Sequence, residues 1–216
     1  MKNIILDLCG GTGSWSKPYK KAKYRVFNIT LPDYDILQTY FSSHYVLFRG
    51  PGRSLSIDIN DIYGIIAAPP CTMFSLARTN AKTPRDLQKG MEIVRMCMHI
   101  IWMIQENKQP TGKKNTSLKF WALENPYGML KYFLGQPILI FEPYNYGDSY
   151  RKKTAIWGNF NHPPFTHFNW SYNKFMKFDK LKTKEIHPEY YGKLNRTERR
   201  AITPSGFAKA FFKANQ

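Results

Sequence analysis

Acidic residues are scarce in this sequence of 216 residues. It has 15 Asp and Glu against 32 Lys and Arg, which gives a formal net charge of +17. A surplus of this size is typical of proteins that bind a polyanion, because neutralising phosphates releases condensed counterions. The other explanation is a solvated basic surface without such a partner. The 14 Tyr and 5 Trp can stack on bases, and they favour nucleic acid as the partner.

Cysteines are also few, and their number is odd. Cys9, Cys71 and Cys97 form neither a disulfide framework nor a spacing typical of metal ligands. The sequence therefore predicts no metal site and favours a reducing compartment.

Long hydrophobic runs are absent. The apolar run at 3–6 meets Asp7 at once, and the stretch 93–104 is interrupted by Arg95 and His99. Neither is long enough for a signal peptide or a membrane span. We expect a soluble, cytoplasmic (intracellular) protein without membrane contact, and 43% hydrophobic residues are enough for a folded core.

Hydrophobic patterning predicts alternating strands and helices. Strands are expected at 3–9, 24–29, 62–68, 118–123 and 137–141, and a surface loop at 107–117. A helix is expected over 85–106, with its core-facing side formed by Met91, Val94, Met98, Ile101 and Trp102. A last helix is expected over about 204–214, with one face formed by Phe207, Ala210, Phe211 and Ala214. This order predicts an α/β fold with an open, mostly parallel sheet and helices on both faces.

A glycine-rich turn follows the first predicted strand directly, in the order Asp7-Leu8-Cys9-Gly10-Gly11-Thr12-Gly13. Glycine has no side chain to keep a ligand away from the backbone, so such a turn can approach a cofactor closely. Alone the signal is weak, since the turn could hold any nucleotide or merely reverse the chain.

Cys71 follows the third predicted strand as Pro69-Pro70-Cys71. Proline cannot continue a hydrogen-bonded ladder, so the strand ends there and delivers Cys71 to the edge where open sheets bind ligands. A lone cysteine is more often a small buried hydrophobe. To act as a nucleophile it needs nearby positive charge, for which Arg78 is a candidate.

Two further polar stretches stand at or after strand ends. Glu124-Asn125 closes the strand at 118–123, and Arg151 to Lys153 form a basic segment after the strand at 137–141. The carboxyl group of Glu124 is a candidate acid or hydrogen-bond donor. The alternative is that Glu124 is a surface residue or a helix cap. The basic segment alone would be taken for a solvated loop.

In order and type, these stretches resemble the DNA (cytosine-5-)methyltransferase family. The glycine-rich turn resembles its Asp-Leu-Phe-x-Gly-x-Gly motif, and Pro69-Pro70-Cys71 resembles its Pro-Cys nucleophile motif. Glu124-Asn125 resembles its Glu-Asn-Val motif, and Arg151 and Lys153 fall on the basic positions of its Gln-x-Arg-x-Arg motif. The resemblance covers most of residues 3–160 and implies a Rossmann-like S-adenosylmethionine-dependent methyltransferase fold.

The resemblance implies methylation of cytosine carbon 5 through a covalent adduct. Cys71 would attack carbon 6, and Glu124 would hydrogen-bond ring nitrogen 3 and the exocyclic amine. Arg151 would hold the ring carbonyl with Lys153 as a weaker second cation, while Asn125 would orient the loop that carries Glu124. The implied cofactor is S-adenosyl-L-methionine, with S-adenosyl-L-homocysteine as product. Its binding residues would be Asp7, Leu8, Cys9, Gly10, Gly11, Thr12, Gly13, Thr30, Asp35 and Pro69.

The cofactor assignments rest on a pattern with departures. Cys9 replaces the aromatic of the first motif, and Thr30 stands where an acid would bind the ribose hydroxyls. Asp33 or Asp35 are substitutes for that acid, and Asp35 or Asp58 are candidates to contact adenine. Asp35 is slightly favoured.

Size is the largest departure from the family. The resemblance implies a catalytic, cofactor-binding domain at 1–160, a short basic and aromatic target-contact region at 161–200, and a C-terminal helix at 201–216 that packs back on the catalytic domain. Thr203-Pro204 and the helix after them weakly resemble the closing motif of the family. So small a target-recognition region is typical of a phage-like member. We expect limited sequence specificity or a protein partner that supplies it, and a monomer.

Double-stranded DNA is the expected substrate, and three other interpretations remain. RNA such as tRNA, or single-stranded DNA, presents unstacked bases that need less recognition machinery. A non-catalytic nucleic-acid-binding module with a methyltransferase fold would not need Cys71, Glu124 and Arg151 together. A dinucleotide-dependent oxidoreductase lacks its last glycine, because Ser16 occupies that position, and would give Cys71 no role.

Overall fold

Strands at the predicted positions build most of a central sheet. A computed structural model describes residues 3–76, 78, 81–108, 117–168, 174–178, 184 and 188–216. The strands are β1 (Ile4–Leu8), β2 (Arg25–Ile29), β3 (Asp35–Phe41), β4 (Tyr45–Gly50), β5 (Arg53–Asp58), β6 (Ile62–Ala67), β7 (Phe120–Pro126), β8 (Leu139–Phe141), β9 (Tyr150–Arg151), β10 (Thr154–Asn159) and β11 (Met176–Lys177). The helices are α1 (Lys17–Lys21), α2 (Leu87–Asn107), α3 (Lys131–Leu134), α4 (Arg196–Ala201) and α5 (Ser205–Ala214).

The main sheet has six strands in the order β2-β1-β6-β7-β10-β8. The four strands from β2 to β7 are parallel to their neighbours, whereas β10 is antiparallel to both β7 and β8. The chain is therefore an α/β protein with a mixed, mostly parallel sheet, which confirms the coarse prediction and is compatible with a Rossmann-like fold.

Side chains of β1 alternate between two hydrophobic clusters, one on each face of the sheet. Ile4, Leu6 and Leu8 pack with the buried stripe of α2, whereas Ile5 packs with α1 and α5. Helices thus cover both faces of the sheet. The predicted helix at 204–214 exists as α5, and its Phe207 and Phe211 are fully buried in the second cluster.

In the first half of the chain, one sheet was not predicted and one residue expected to face the core is exposed. Strands β3, β4 and β5 form a separate antiparallel sheet that the sequence patterning did not predict. Trp102 is 54% exposed, because the side of α2 that faces the sheet runs through Val94, Cys97, Ile101 and Ile104. Trp102 lies one residue beyond that stripe, about 100° around the helix.

Most of the loop expected at 107–117 lies outside the described residues, as do parts of the target-contact region expected at 161–200. Within the described part of the chain, no helix has both the length and the apolar character that crossing a bilayer requires.

Phe211 is the aromatic side chain whose truncation tests the docking of α5. Its ring lies 5.3 Å from Trp15, 5.6 Å from Phe120 and 5.3 Å from Phe160, measured between ring centroids. Replacing it with Ala should lower the free energy of unfolding by about 3–5 kcal/mol, because a buried cavity is left. Urea denaturation measures the change. Phe168→Ala, at a side chain that is 75% exposed, should change it by less than about 0.5 kcal/mol.

Candidate active site

The carboxyl ends of three parallel strands meet at one edge of the main sheet. The Ala68 amide donates to the Leu8 carbonyl at 2.9 Å and joins the end of β6 to the end of β1. Asn125 is fully buried, and its Nδ2 donates to the Pro69 carbonyl at 3.0 Å, which joins β7 to β6. The glycine-rich turn, Cys71 and Glu124 therefore leave the sheet at the same edge.

The basic segment reaches this edge because β10 is antiparallel to β7. Thr154 at the start of β10 pairs with Pro126 at the end of β7. The Tyr127 amide donates to the Lys153 carbonyl at 2.9 Å and fixes the segment just before β10. Strand β8 runs parallel to β7, so Glu142, which follows β8, lies at the same edge.

The loop after Cys71 is held by the chain around it. The Phe74 and Ser75 amides donate to the Cys71 carbonyl at 3.0 and 2.9 Å. The Arg85 guanidinium donates to the Met73 carbonyl at 2.7 Å and to the Ser75 carbonyl at 3.0 Å. These bonds fix the backbone around Cys71, which lines the cleft beside this loop.

That cleft has a volume of about 300 Å³ and a strongly basic lining. It is lined by Cys71, Ser75, Leu76, Pro126, Tyr127, Glu142, Arg151, Lys152, Lys153, Lys177, Phe178 and Arg200. We call it the Cys71 cleft. Five cationic side chains surround a single thiol, with one carboxylate among them, so the cleft suits an anionic ligand.

Burial raises the pKa of the Cys71 thiol, and neighbouring charges act in both directions. Lys152 and Arg200 lower this pKa, whereas Glu124 raises it. Arg78 is not the source of positive charge that the sequence suggested. Its guanidinium instead donates to the Thr83 hydroxyl at 2.8 Å and to the Pro84 carbonyl at 3.0 Å.

Glu124 is buried and is not among the residues that line the cleft. Burial raises the pKa of its carboxyl group, and Lys152 lowers it less. Among the described residues, its Oε1 has no hydrogen-bond partner. A buried carboxyl with a raised pKa and an unused oxygen can donate a proton or a hydrogen bond when a partner arrives.

The three consecutive basic residues have different surroundings. Arg151 lies in β9, opposite Lys177 of β11. The Lys152 Nζ donates to the Ile202 carbonyl at 3.4 Å, and the Lys153 Nζ lies 4.4 Å from the centroid of the Tyr127 ring. Both predicted cations, Arg151 and Lys153, line the cleft, but Lys152 between them acts on Cys71 and Glu124.

The glycine-rich turn is tightly folded over Asp7. Cys9, Gly11 and Gly13 have φ values of +56°, +52° and +66°, which only glycine adopts without strain. A side chain at Gly10 would collide with the Asp7 carboxyl, and beside Gly11 there is open space. The turn thus presents bare backbone on its outer side, as a cofactor requires.

Asp7 is a fully buried carboxyl beneath this turn, and the Ser16 hydroxyl donates to it. Burial raises the pKa of Asp7 to about 7, against the lowering effect of Ser16. Among the residues that the structure describes, Asp7 Oδ1 has no hydrogen-bond partner. Ser16, the position that breaks the dinucleotide-binding spacing, is therefore the partner of Asp7.

Asp7 makes stability depend on pH. Below about pH 4 its carboxyl is neutral in both the folded and the unfolded chain, and between about pH 4 and 7 only the unfolded chain ionises. We expect the contribution of Asp7 to the free energy of unfolding to fall across this range by at most roughly 4 kcal/mol. Urea denaturation from pH 4 to 8, beside Asp7→Asn, measures it. An equal pH dependence in the variant would contradict the assignment.

The other predicted cofactor residues fall into two groups. Leu8 is fully buried in the core and Pro69 is buried, so Leu8 can offer a ligand only its backbone, whereas Thr12 is half-buried at the turn. Thr30 follows β2 directly, and the Tyr34 amide donates to its carbonyl at 2.9 Å, which brings Asp35 back towards the end of β2.

The candidate acids differ in what holds them. Asp35 accepts a hydrogen bond from the Leu37 amide at 3.0 Å, and Asp33 forms an ion pair with Arg53 at 2.7 Å. Asp58 caps the turn before β6 and accepts from the Asn60 amide at 2.9 Å. It therefore lies at the amino end of β6, on the opposite edge from Cys71, and the adenine role considered for it is wrong.

The C-terminal segment contacts both the glycine-rich turn and the basic segment. The Thr203 amide donates to the Ser14 hydroxyl of the glycine-rich turn at 2.9 Å, and one residue earlier Ile202 accepts from Lys152. Sequence reasoning included Lys152 in the basic segment without giving it a role of its own, and it missed Lys177, Phe178, Arg200 and Glu142. Only Glu142 carried a signal, because it follows the strand predicted at 137–141.

Comparison with known proteins gives no family for this arrangement. No protein-family model matches the chain, and no curated protein matches it significantly. Within the described residues, no group of three or more His, Cys, Asp or Glu side chains is placed to hold a metal ion. What the site can do must therefore be argued from its own residues.

Proposed function

We propose that this chain is a DNA (cytosine-5-)methyltransferase that uses S-adenosyl-L-methionine and has a Rossmann-like methyltransferase fold. The observation that carries the proposal is the Cys71 cleft. A half-buried thiol, a buried carboxyl with a raised pKa and several cations converge where the parallel strands end. Covalent activation of a cytosine ring needs these three kinds of group together.

Cys71 is the nucleophile in this proposal. Its thiolate attacks carbon 6 of cytosine, and the electron pair displaced from the 5,6 double bond makes carbon 5 nucleophilic. The loop bonds from Phe74, Ser75 and Arg85 hold the sulfur in place, so little reorganisation opposes the attack. After carbon 5 has gained its methyl group, a base removes the carbon-5 proton and the thiolate leaves.

Glu124 meets the charge that this attack creates on the ring. In its protonated form the Glu124 carboxyl donates to ring nitrogen 3, and its other oxygen accepts from the exocyclic amine. The unused Oε1 and the raised pKa of Glu124 support this role. Asn125 holds the end of β7 against Pro69 and so fixes the backbone of Glu124.

Cations on the wall of the cleft hold the rest of the substrate. Arg151 is the proposed partner of the ring carbonyl, and Lys153 is the weaker second cation. Lys177 and Phe178 come from the target-contact region and line the same cleft, which supports contact with phosphate and stacking on a base. In a duplex the cytosine must first be flipped out of the stack.

The residues around the glycine-rich turn fit S-adenosyl-L-methionine. This cofactor carries an ammonium group, and Asp7 Oδ1 is a buried acceptor without a partner among the described residues. Backbone of Gly10 to Gly13 would hold its amino-acid part, and Thr30 or Asp35 its ribose. When bound, the cofactor supplies an electrophilic methyl group on a sulfonium. Thr203, bonded to Ser14, supports the turn from the other side.

The test is transfer of labelled methyl from S-adenosylmethionine to double-stranded DNA, single-stranded DNA and tRNA of matched cytosine content. The proposal requires label in double-stranded DNA that hydrolysis recovers as 5-methylcytosine. Label recovered at another atom would overturn the proposed chemistry.

The second candidate function is the same reaction on a different substrate, tRNA or single-stranded DNA. It is favoured by the small size of the region at 161–200, since unstacked bases need less recognition surface. Preferential transfer to one of these substrates would select it. A folded protein that binds DNA, yet transfers no methyl to any substrate even with a candidate protein partner, would instead be a non-catalytic binding module.

A further inference from the structure

Arg200 reaches the Cys71 cleft from a part of the chain that carries none of the recognised motifs. It stands near the end of α4, whose first turn is capped by Asn195: the Asn195 Oδ1 accepts from the Glu198 amide at 3.0 Å. Arg200 is half-buried and lines the same cleft as Cys71. The last turn of a short helix thus brings a positive charge to the cleft that Cys71 lines.

The residues that follow Arg200 form hydrogen bonds to two other parts of the chain. Ile202 accepts from the Lys152 Nζ, and the Thr203 amide donates to the Ser14 hydroxyl. Ile202 and Thr203 are themselves buried. The position of Arg200 is therefore set by contacts to the basic segment and to the glycine-rich turn.

Cys71 needs positive charge in order to react, because burial disfavours the thiolate form that is the nucleophile. Glu124 adds to this when ionised, whereas among the side chains that the structure describes Lys152 and Arg200 oppose it. Lys152 also lowers the pKa of Glu124, and its Nζ donates to the Ile202 carbonyl, so its charge does not act on Cys71 alone.

We propose that Arg200 is a positioning residue that favours the thiolate form of Cys71, and that the C-terminal segment 200–203 holds it there. The proposal rests on the proposed function in taking Cys71 as the nucleophile. It adds that the end of the target-contact region, together with the residues that follow it, completes the chemical site. Lys152, which lines the same cleft, assists Arg200.

The test measures thiolate formation directly, without substrate or cofactor. The full chain is alkylated with iodoacetamide from pH 6 to 10, and the rate at Cys71 is followed by mass spectrometry of its peptide, which separates it from Cys9 and Cys97. Arg200→Gln should raise the apparent pKa of Cys71 by roughly one pH unit. It should slow alkylation near pH 7 about tenfold, and Arg200→Lys should restore most of the rate.

Arg199→Gln is the matched control, since it removes one charge from the same helix at a side chain outside the cleft lining. Equal shifts in the Arg199 and Arg200 variants, or an unchanged profile in a folded Arg200→Gln protein, would overturn the proposal. Circular dichroism and the thermal midpoint establish folding. Because methyl transfer plays no part in this readout, a shifted profile supports the role of Arg200 even if the proposed reaction fails.

Discussion

Replacing Cys71 with Ala should reduce methyl transfer by more than about 10⁴-fold, since removing a covalent nucleophile eliminates the route that the other groups serve. The substitution removes only a sulfur from a loop whose backbone bonds remain. Folding and binding of nucleic acid should therefore be preserved. Initial rates with labelled S-adenosylmethionine and DNA measure the loss.

A second readout shows the adduct itself. DNA with 5-fluorocytosine at the target position cannot lose the atom on carbon 5 as a proton, so the thioether to Cys71 should persist and survive denaturing electrophoresis. Cys97→Ala is the control, because Cys97 is buried in α2 within the hydrophobic cluster. It should retain both the adduct and transfer. Transfer by the Cys71→Ala protein at more than a few per cent of the normal rate would exclude the covalent route.

Local sequence was enough to predict where the chemical groups leave the sheet. Pro69 and Pro70 end a buried strand, and a parallel sheet brings all such strand ends to one edge. Cys71 and Glu124 could therefore be assigned to the same edge without any long-range information. The strands of the main sheet other than β10, together with α2 and α5, were predictable because each has a local apolar pattern.

Charges contributed by distant parts of the chain could not be predicted in this way. Arg200 lies on a six-residue helix, and Lys177 on a two-residue strand that exists through its pairing with β9. Neither element is long enough to show a hydrophobic periodicity in the sequence. Lys152 received no role for another reason: the resemblance assigns roles to Arg151 and Lys153 on either side of it, whereas in the structure the Lys152 Nζ donates to the Ile202 carbonyl.

Glycine patterning predicted the turn after β1 but not the chemistry beneath it. A sequence comparison treats Ser16 as the loss of a glycine, while in the structure its hydroxyl donates to the buried Asp7. The antiparallel sheet of β3 to β5 was missed because its strands are largely exposed on one face and lack long apolar runs. Burial of a polar group and pairing of exposed strands are both tertiary properties.

Replacing Glu124 with Gln should lower kcat by about 10²–10³ while changing KM little, because the lost interaction develops mainly as charge appears on the ring. Gln keeps the size of the side chain and can still donate a hydrogen bond, but it cannot give up a proton. Burial holds the pKa of Glu124 above its ordinary value, so the protonated form persists to higher pH. Activity of the unmodified protein should decline as pH rises through that pKa, and in Glu124→Gln this part of the decline should be absent.

Glu142 provides the comparison that makes the assignment of Glu124 specific. It is the carboxylate that lines the Cys71 cleft, and it follows β8 at the same edge. Glu142→Gln should cost less than about tenfold in kcat, because a side chain that caps the turn at Pro143–Tyr146 is already committed to the backbone. Steady-state kinetics from pH 6 to 9 on both variants separate the roles. A larger loss in Glu142→Gln than in Glu124→Gln would assign the proton donor to the lining carboxylate and not to the buried one. The raised pKa of Glu124 would then reflect its burial alone.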